Sequence, residues 1–399
     1  MSYDSLYKLY YKDKELYKST YDNRINSENT IKFDFKIYGN DAFVFLHKDI
    51  MSSITIITSL DKKIANLLSS LPLIAREQYI KKSLIDEIVY TNEIEGIVST
   101  RKQINELIND IECRVTKKER FSSLVHKYML LMNDKFKGLD SPNNIRDIYN
   151  ELVLDEIIKE DPNDVPDGII FRAGSVEVKS RTGKILHEGV MPESEIISMI
   201  SKAINIINDI NLEPLVRISV FHYVFSYIHP FYDGNGRTNR YISSLYLKNH
   251  FEAIVAYRLS LTMKENLKQY YDAFEKTNSK INLGDISTFV YEFVDIVRKS
   301  FEATIEYLEI KKNQLINFEK LIKELNLNES LSNMLYVFSQ IELFGGVEVN
   351  SEQIGKILDI SRPTCTKNIK TLLENELLVN LKDGKTNYYR INSEKFNYK

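Results

Sequence analysis

Tryptophan is absent from this sequence, and cysteine, proline and glycine are scarce, with 2 Cys, 8 Pro and 14 Gly among 399 residues. The cysteines, Cys113 and Cys365, lie in different regions and indicate neither a disulfide framework nor a metal site. No run of about eighteen apolar residues occurs, so no segment is expected to span a membrane. Residues 1–14 are rich in tyrosine and lysine and lack the apolar core of a signal peptide, so the expected location is cytoplasmic.

A large excess of charge is also missing. The 53 Lys and Arg and the 56 Asp and Glu give a net charge of −3. No general attraction to nucleic acid or to a membrane is therefore expected. The content of 43% hydrophobic and 27% charged residues is ordinary for a soluble globular protein, and the length allows about two or three domains.

The densest group of reactive residue types lies in a loop between two apolar segments, Leu215–Ile228 and Tyr241–Leu247. Both segments are predicted to be buried helices, because they are too continuous for surface helices and too long for typical strands. The loop, His229 to Arg240, contains a histidine, a carboxylate, two glycines, an asparagine and two arginines. It is the candidate functional site.

The glycines and arginines of this loop favour an anionic ligand. Gly234 and Gly236 flank Asn235, which lets the backbone curl and direct several N–H groups at one point, forming an anion nest. The nest opens the second helix, whose N-terminus also attracts anions. Arg237 and Arg240 lie three residues apart on one helical face. Their charges oppose the helix dipole, and a bound polyphosphate would remove that conflict.

Two further residues of the loop have side chains suited to metal binding and to proton transfer. Asp233 offers a hard oxygen ligand that suits a magnesium ion bridging phosphates. His229 is the only nearby side chain that normally titrates near neutral pH, which makes it the natural general base. The alternative is a plain helix–loop–helix turn whose histidine hydrogen-bonds into the core. A lone histidine would favour that alternative, but the full set of residues does not.

Residues 229–240 resemble the signature of the Fic family, His-Pro-Phe-x-(Asp/Glu)-Gly-Asn-Gly-Arg-x-x-Arg, and match it at every fixed position. Most members of that family transfer AMP from ATP to a hydroxyl group of a target protein. A kinase-like branch has lysine where this chain has Gly236, so that branch is disfavoured. The resemblance covers roughly residues 50–325.

The resemblance implies a role for each residue of the motif. His229 is expected to be the base and Asp233 the ligand of Mg²⁺. The remaining residues form the expected ATP-binding set: Phe231 as a core anchor of the loop, Asn235 with the Gly234–Gly236 backbone at the α- and β-phosphates, Arg237 at the β- and γ-phosphates, and Arg240 at the γ-phosphate.

A second match lies upstream of the motif. Thr91 and Glu95 are four residues apart and share one face of a helix predicted over about residues 81–96, which Gly96 can terminate. Taken alone, this segment is an ordinary capped helix. Beside the loop motif it resembles the inhibitory motif of Fic proteins, (Ser/Thr)-x-x-x-Glu-(Gly/Asn). The resemblance implies that Glu95 pairs with Arg240 and occupies space that the γ-phosphate needs, since a carboxylate can mimic a phosphate oxygen.

Residues 169–189 are predicted to form a hairpin, with Val176 and Val178 alternating with polar residues and Thr182-Gly183 at the turn. The resemblance implies a flap that aligns a segment of the target protein by strand addition and brings its hydroxyl near His229. The candidate docking edge consists of Lys184, Ile185, Leu186, His187 and Glu188. The alternative is a hairpin without a binding role.

Tyr270, Tyr271 and Phe274 lie on a helix predicted after the motif. They either stack on adenine or fill the core, and core packing is the commoner role for such a stripe. Fic relatives place a tyrosine-bearing helix near the base, so Tyr271 is the candidate for contact with ATP.

A separate domain is predicted over residues 326–399. A helix over 351–358, a tight turn, a helix opened by Pro363 and a hairpin around Asp383-Gly384 resemble a winged helix-turn-helix, whose second helix enters the major groove of DNA. From Ser351 to Lys399, nine Lys and Arg and six Asp and Glu give a net charge of +3. DNA binding, target recruitment and homodimer formation all stay open for this domain.

The predicted protein is mainly α. An N-terminal region over 1–111 carries the inhibitory helix, a Fic catalytic core with the flap covers 112–325, and the winged helix follows. The predicted activity is transfer of AMP from ATP to a Ser, Thr or Tyr hydroxyl of a protein substrate or of the chain itself. Two alternatives stay open: removal of AMP by the same site, with Glu95 orienting a water, and a nucleotide-sensing, DNA-binding transcription regulator, which the intact motif disfavours.

Overall fold

The computed structural model is predominantly helical, as predicted, and describes residues 3–112, 119–133, 138–179, 185–384 and 386–396. Contacts divide the chain into two units, one from residues 1–61 with 84–302 and the other from residues 62–83 with 303–399. Within the described ranges, the strands form three small antiparallel sheets with the orders β1-β2, β3-β4 and β5-β7-β6.

The elements up to the motif are, in chain order, α1 (Leu6–Lys12), α2 (Lys14–Ile25), β1 (Thr30–Ile37), β2 (Asn40–Phe45), α3 (Lys48–Ser69), α4 (Leu73–Ile94), α5 (Arg101–Glu112), α6 (Ser122–Asn133), α7 (Pro142–Tyr149), α8 (Asp155–Glu160), β3 (Glu177–Lys179), β4 (Ile185–Glu188), α9 (Glu193–Asn208) and α10 (Pro214–Ile228). A π-helical turn, Asn150–Leu154, joins α7 to α8.

The elements from the motif onward are α11 (Asn235–His250), α12 (Ala253–Ala256), α13 (Leu259–Glu265), α14 (Leu267–Thr277), α15 (Ser287–Glu324), α16 (Glu329–Gln340), β5 (Val349–Asn350), α17 (Ser351–Leu358), α18 (Arg362–Glu374), β6 (Leu378–Asp383), β7 (Thr386–Ile391) and α19 (Ser393–Phe396).

The centre of the first unit is the pair α10 and α11, which carries the motif loop between its two helices. Both helices are buried on nearly all sides, as their continuous apolar sequences predict. Helix α10 begins with Pro214, a residue preorganised for a first turn, and the Glu213 carboxylate accepts a hydrogen bond from the Val216 N–H at 3.1 Å. A buried helix pair fixes both ends of the loop, so the loop geometry is set by the core.

The predicted hairpin over 169–189 forms strands only in its second half, as β3 and β4, and its turn lies outside the described residues. The first half is a loop because a side chain satisfies its backbone. The N–H groups of Ile169, Ile170 and Phe171 donate to the Glu193 carboxylate at 3.0, 2.7 and 2.8 Å. Because these three backbone N–H groups are already hydrogen-bonded, they are not available to pair with a neighbouring strand.

The last part of the second unit contains the elements predicted from its sequence, in the predicted order. Asn350 caps α17 in a capping box with Gln353, and Ser361 caps α18. Strands β6 and β7 pair around the predicted turn, where Gly384 has a φ of 58°. A positive φ suits glycine in a tight hairpin turn.

Candidate active site

In the structure, the loop between α10 and α11 runs from His229 to Gly234, and both of these residues lie in the left-handed region. His229 terminates α10 with φ 53° and ψ 64°, and Gly234 precedes α11 with φ 77°. Between them, the fully buried Phe231 ring stacks on Tyr149 with a centroid separation of 3.8 Å and meets Phe171 edge-on. Phe231 therefore anchors the loop in the core, as expected for this position.

The Asn235 side chain is engaged inside the loop. Its Oδ1 accepts from the Phe231 N–H at 3.0 Å, and its Nδ2 donates to the Phe231 carbonyl at 2.8 Å. The family resemblance implies that Asn235 lies at the α- and β-phosphates; its side chain stabilises the loop, and the residue also lines the cavity beside His229. The first N–H groups of α11 have no partner within the helix, and they are the groups that can meet an anion.

Arg172 is a residue of the site that the sequence did not reveal. Its fully buried guanidinium donates to four backbone carbonyls: Gly174 at 2.6 Å, His229 at 2.8 Å, Val190 at 2.9 Å and Ile228 at 3.3 Å. Two of these carbonyls lie at the C-terminal end of α10, where the helix dipole favours a cation. Arg172 therefore ties the segment around the flap to the backbone of His229.

His229 lies beside a cavity of about 250 Å³ in the first unit. Burial, together with the neighbouring His187, lowers the pKa of His229 to about 3, although a hydrogen bond with the Ser226 backbone opposes that shift. The imidazole is therefore neutral at pH 7 and able to accept a proton. The cavity wall also includes Glu95, Gly236, Arg240, Tyr271 and Asn278.

Arg240 is buried and makes three close contacts with the end of α4. Its Nε donates to Thr91 Oγ1 and its Nη2 to the Thr91 carbonyl, both at 2.8 Å. Its Nη1 lies 2.7 Å from Glu95 Oε1. Glu95 also covers Gly236, because a Cβ atom added there would lie 2.1 Å from Glu95 Oε1. The predicted pairing of Glu95 with Arg240 is present in the structure.

Glu87 extends this row of α4 residues by one turn, and sequence reasoning missed it. Its fully buried carboxylate accepts from the Ser260 N–H at 2.7 Å and from Ser260 Oγ at 2.5 Å. Burial raises the pKa of Glu87 to about 7, against the lowering effect of Ser260 and Arg240. Glu87 thus fixes α4 to α13 on the same face that presents Thr91 and Glu95.

Arg237, the first arginine of the motif, is also buried and also paired. Its Nη1 lies 2.9 Å from Glu156 Oε2, and its Nη2 lies 3.7 Å from Asp233 Oδ2. Burial raises the pKa of Glu156, and Arg237 opposes that shift. Glu156 is a third residue that local sequence patterns did not identify.

Residues of the predicted docking edge differ in where their side chains lie. The His187 ring is buried, stacks on Tyr227 at 5.5 Å and hydrogen-bonds with the Tyr227 carbonyl through Nε2 at 3.0 Å. Ile185 and Glu188 are exposed, and Lys184 lies outside the described residues. Only part of the Lys184–Glu188 edge therefore offers side chains to a partner, whereas His187 attaches the flap to α10.

Tyr270 and Tyr271 both line the cavity but differ in their exposure. Tyr271 lines the cavity and is 36% exposed. Tyr270 is buried, and its hydroxyl lies 2.7 Å from Nε2 of the buried His222. Tyr270 and Phe274 line the cavity as well, so Tyr270 packs in the core and also contributes to the cavity wall, and Tyr271 is the more exposed of the two tyrosines.

Comparison with known proteins agrees with this architecture. Residues 141–247 match the family model described as Fic/DOC family. This stretch of the chain is therefore similar to the Fic domain. A Fic family protein from Desulfovibrio desulfuricans G20 superposes with a TM-score of 0.51 at 19% identity, covering 87% of this chain and 96% of that one. This similarity establishes a shared fold.

Two curated relatives are similar over shorter stretches. Protein adenylyltransferase Fic of Drosophila grimshawi is 32% identical over 92 residues, which are 23% of this chain and 17% of that protein. Protein adenylyltransferase fic-1 of Caenorhabditis briggsae is 24% identical over 177 residues, 43% of this chain and 32% of that protein. The chain thus spans between a sixth and a third of these relatives. Among the described helices none is long and apolar enough to cross a membrane.

Proposed function

We propose that this chain transfers AMP from ATP to a hydroxyl group of a target protein or of itself. The observation that carries the proposal is one cavity lined by both a neutral histidine, His229, and the buried Arg240 at the start of α11. The relatives named as protein adenylyltransferases support the same reaction. The acceptor is a Ser, Thr or Tyr side chain.

The proposed reaction is an in-line displacement at the α-phosphorus of ATP. The acceptor oxygen forms a bond to that phosphorus while the bond to the β-phosphate oxygen breaks, and pyrophosphate leaves. His229 takes the proton of the attacking hydroxyl on the ring nitrogen that does not hydrogen-bond with Ser226. In this scheme the first N–H groups of α11 and Arg240, which lines the cavity, stabilise the charge that develops on the phosphates.

Asp233 is the residue that would hold a divalent cation. It is 46% exposed, and the described residues contain no group of three or more metal-ligating side chains. A lone carboxylate beside a phosphate site fits Mg²⁺, which commonly binds through one or two carboxylates plus substrate phosphates. When bound, the ion would neutralise phosphate charge.

Glu95 inhibits this reaction in the proposed scheme. Its carboxylate lies 2.7 Å from Arg240 Nη1 and covers Gly236. A γ-phosphate needs the same arginine and meets a negative charge there. Removing Glu95 would free one side of Arg240 while Thr91 still holds the other side.

The test is label transfer from α-labelled ATP, with γ-labelled ATP as the control, using the purified chain carrying Glu95→Gly. Label from the α-phosphate alone is expected, and a further His229→Ala change should lower the rate by roughly 10²- to 10⁴-fold. Label from the γ-phosphate would instead indicate phosphoryl transfer. Unchanged labelling after His229→Ala would contradict the proposed base.

A second candidate activity is removal of AMP from a modified protein. It is favoured by the position of Glu95, whose side chain is 30% exposed and lines the same cavity as His229, so it could orient a water. The test is incubation of an AMP-modified acceptor without ATP. Release of AMP by the parent chain and its loss in Glu95→Gly would support removal, because the proposed transfer shows the opposite dependence on Glu95.

DNA binding is a candidate for the second unit. Helix α18 packs through Cys365, Ile369 and Leu372, and its exposed face carries Arg362, Thr364, Thr366, Lys367 and Lys370. The test is duplex binding measured against salt concentration, with and without ATP. Replacing three basic residues of this face by alanine should lower the salt slope by up to roughly 3, about one for each lost phosphate contact.

A further inference from the structure

Arg237 lies between two carboxylates that differ in their surroundings. Glu156 Oε2 is 2.9 Å from Nη1, within hydrogen-bond distance, whereas Asp233 Oδ2 is 3.7 Å from Nη2, beyond it. The Glu156 side chain is 6% exposed and the Asp233 side chain 46%. One carboxylate is therefore bonded to Arg237 inside the protein, and the other stands in water beside the same arginine.

The two attractions differ in strength because the dielectric differs. A buried, hydrogen-bonded ion pair interacts much more strongly than a half-exposed pair without a hydrogen bond, which water screens. The charge of Arg237 is thus neutralised mainly by Glu156. The negative charge of Asp233 is therefore only weakly neutralised by Arg237, although that arginine is four residues further along the chain.

We infer that Glu156 is a positioning residue: it takes up the charge of Arg237 and thereby leaves Asp233 free to bind the divalent cation that accompanies a triphosphate. The inference rests on the proposed nucleotide site. Glu156 touches neither the nucleotide nor the ion in this scheme, and it acts only through Arg237.

A purely structural ion pair is the competing explanation. Replacing a buried ion pair with apolar residues is often neutral or stabilising, so burial alone gives no reason for this one. The pair is also incompletely satisfied. Glu156 Oε1, Arg237 Nε and Arg237 Nη2 have no hydrogen-bond partner among the described residues. An imperfect buried pair beside a candidate metal ligand is better explained by its effect on that ligand.

The experiment measures binding, so it does not depend on turnover. The chain carrying Glu95→Gly is titrated with α,β-methylene-ATP, whose methylene bridge prevents AMP transfer, by isothermal titration calorimetry. Each protein is measured in EDTA and in saturating Mg²⁺. The ratio of the two Kd values, here called the metal gain, reports how much the ion helps the nucleotide to bind.

Glu156→Gln keeps the size of the side chain and removes its charge, so Arg237 is free to pair with Asp233. The metal gain should fall by roughly fivefold, near the upper end for a half-exposed ion pair. The Kd in EDTA should stay the same or become tighter, because the site gains one net positive charge. Damage to the fold would instead weaken nucleotide binding both in EDTA and in Mg²⁺. A lower metal gain with an unchanged Kd in EDTA is therefore distinguishable from misfolding.

Two controls make the result specific. Glu160→Gln changes an exposed glutamate of the same helix that pairs with Arg120, and it should leave both Kd values unchanged. With Asp233→Asn as the starting chain, Glu156→Gln should no longer alter the metal gain, since the two changes act through one contact.

An unchanged metal gain in Glu156→Gln, or equally weaker binding in EDTA and in Mg²⁺, would overturn the inference. Either result would leave the proposed nucleotide site unaffected. Failure of the Glu95→Gly chain to bind the nucleotide in either condition would overturn the proposed function and this inference with it.

Discussion

Arg240 has three close contacts at the end of α4, and only one of them involves Glu95. Thr91 supplies the other two, through a buried hydroxyl and a backbone carbonyl. The carboxylate that we propose to be inhibitory therefore belongs to a different residue from the one that makes the other two contacts with the arginine. Under that proposal, Glu95 could be removed while Thr91 still holds Arg240.

Thr91→Val should destabilise the protein more than Glu95→Gln does. Valine matches threonine in shape but leaves the buried Nε of Arg240 without an acceptor, which costs about 1–3 kcal/mol. Glu95 is partly exposed, so neutralising it should cost less than about 1 kcal/mol. Denaturant unfolding of the two variants beside the parent measures the difference. Equal losses would show that Thr91 is not the main support of Arg240.

The pH dependence of transfer should reflect the lowered pKa of His229. With that pKa near 3, the imidazole stays neutral from pH 8 down to pH 5, and the rate of the Glu95→Gly chain should change little over this range. A base with the ordinary pKa of about 6.5 would lose roughly thirtyfold by pH 5. The check is kcat/KM against pH. An acid limb centred near pH 6.5 would rule out the neutral, desolvated base described above.

The C-terminal end of α10 is tied to the segment around the flap by Arg172, whose planar guanidinium reaches four carbonyls at once. The ammonium of lysine cannot reproduce this fork. The proposed base, His229, and the segments that flank β3 and β4 therefore share one buried cation. Loss of that cation should misalign the target hydroxyl and the base without touching the phosphate site.

Arg172→Lys should lower kcat/KM for the protein acceptor by roughly tenfold or more, since small misplacements of reacting groups are costly. Nucleotide affinity, measured by calorimetry, should not change. Arg146→Lys is the matched control, because Arg146 also donates to a carbonyl, that of Ile170 at 2.6 Å, but does not contact α10. Similar losses in both variants, or weaker nucleotide binding in Arg172→Lys, would contradict this role.

The loop and its two buried helices could be predicted because each has a local signature in the sequence, and the Glu95–Arg240 pair could be predicted because the segment around Glu95 resembles the inhibitory motif of Fic proteins. Glu156 and Arg172 could not. Glu156 lies 81 residues before Arg237, and Arg172 lies 57 residues before His229 and bonds to carbonyls, which carry no side-chain pattern. His187 was assigned to the docking edge, but its ring is buried against Tyr227, whereas Ile185, two residues earlier, is exposed. Simple strand alternation does not predict this difference, and the register shift between Val178 and Lys179 has no signature in the sequence.

Across the whole molecule, most of the histidines have a lowered pKa, and two of the six, His187 and His222, are buried. Burial lowers the pKa of five of its six histidines, His47, His187, His222, His229 and His250. Each of these groups takes up a proton more readily in the unfolded chain than in the folded one. Stability is therefore highest above pH 6.5 as far as these groups are concerned, and it falls as the pH drops below that value.

His222 provides the clearest test of this dependence. Its pKa is lowered to about 3, and its ring hydrogen-bonds with Ser243 and Tyr270. Between pH 6.5 and pH 3 it should subtract up to about 1.4 kcal/mol per pH unit from the free energy of unfolding. His222→Gln should therefore show a shallower loss of stability from pH 6.5 to pH 5, measured by denaturant unfolding. Parallel curves for the variant and the parent would contradict the assignment.

The last turn of α4 has a consequence for how a signal could act on the molecule. The Glu95 N–H donates to the Asn92 carbonyl at 3.0 Å, while the Thr91 carbonyl accepts from Arg240 at 2.8 Å. The helix end thus holds Arg240 in two parts, the hydroxyl and carbonyl of Thr91 and the carboxylate of Glu95. A partner that rotates the Glu95 side chain opens only the second part and leaves Arg240 ready for a phosphate. A partner that unwinds or extends the turn opens both parts, and the arginine loses its support together with its block.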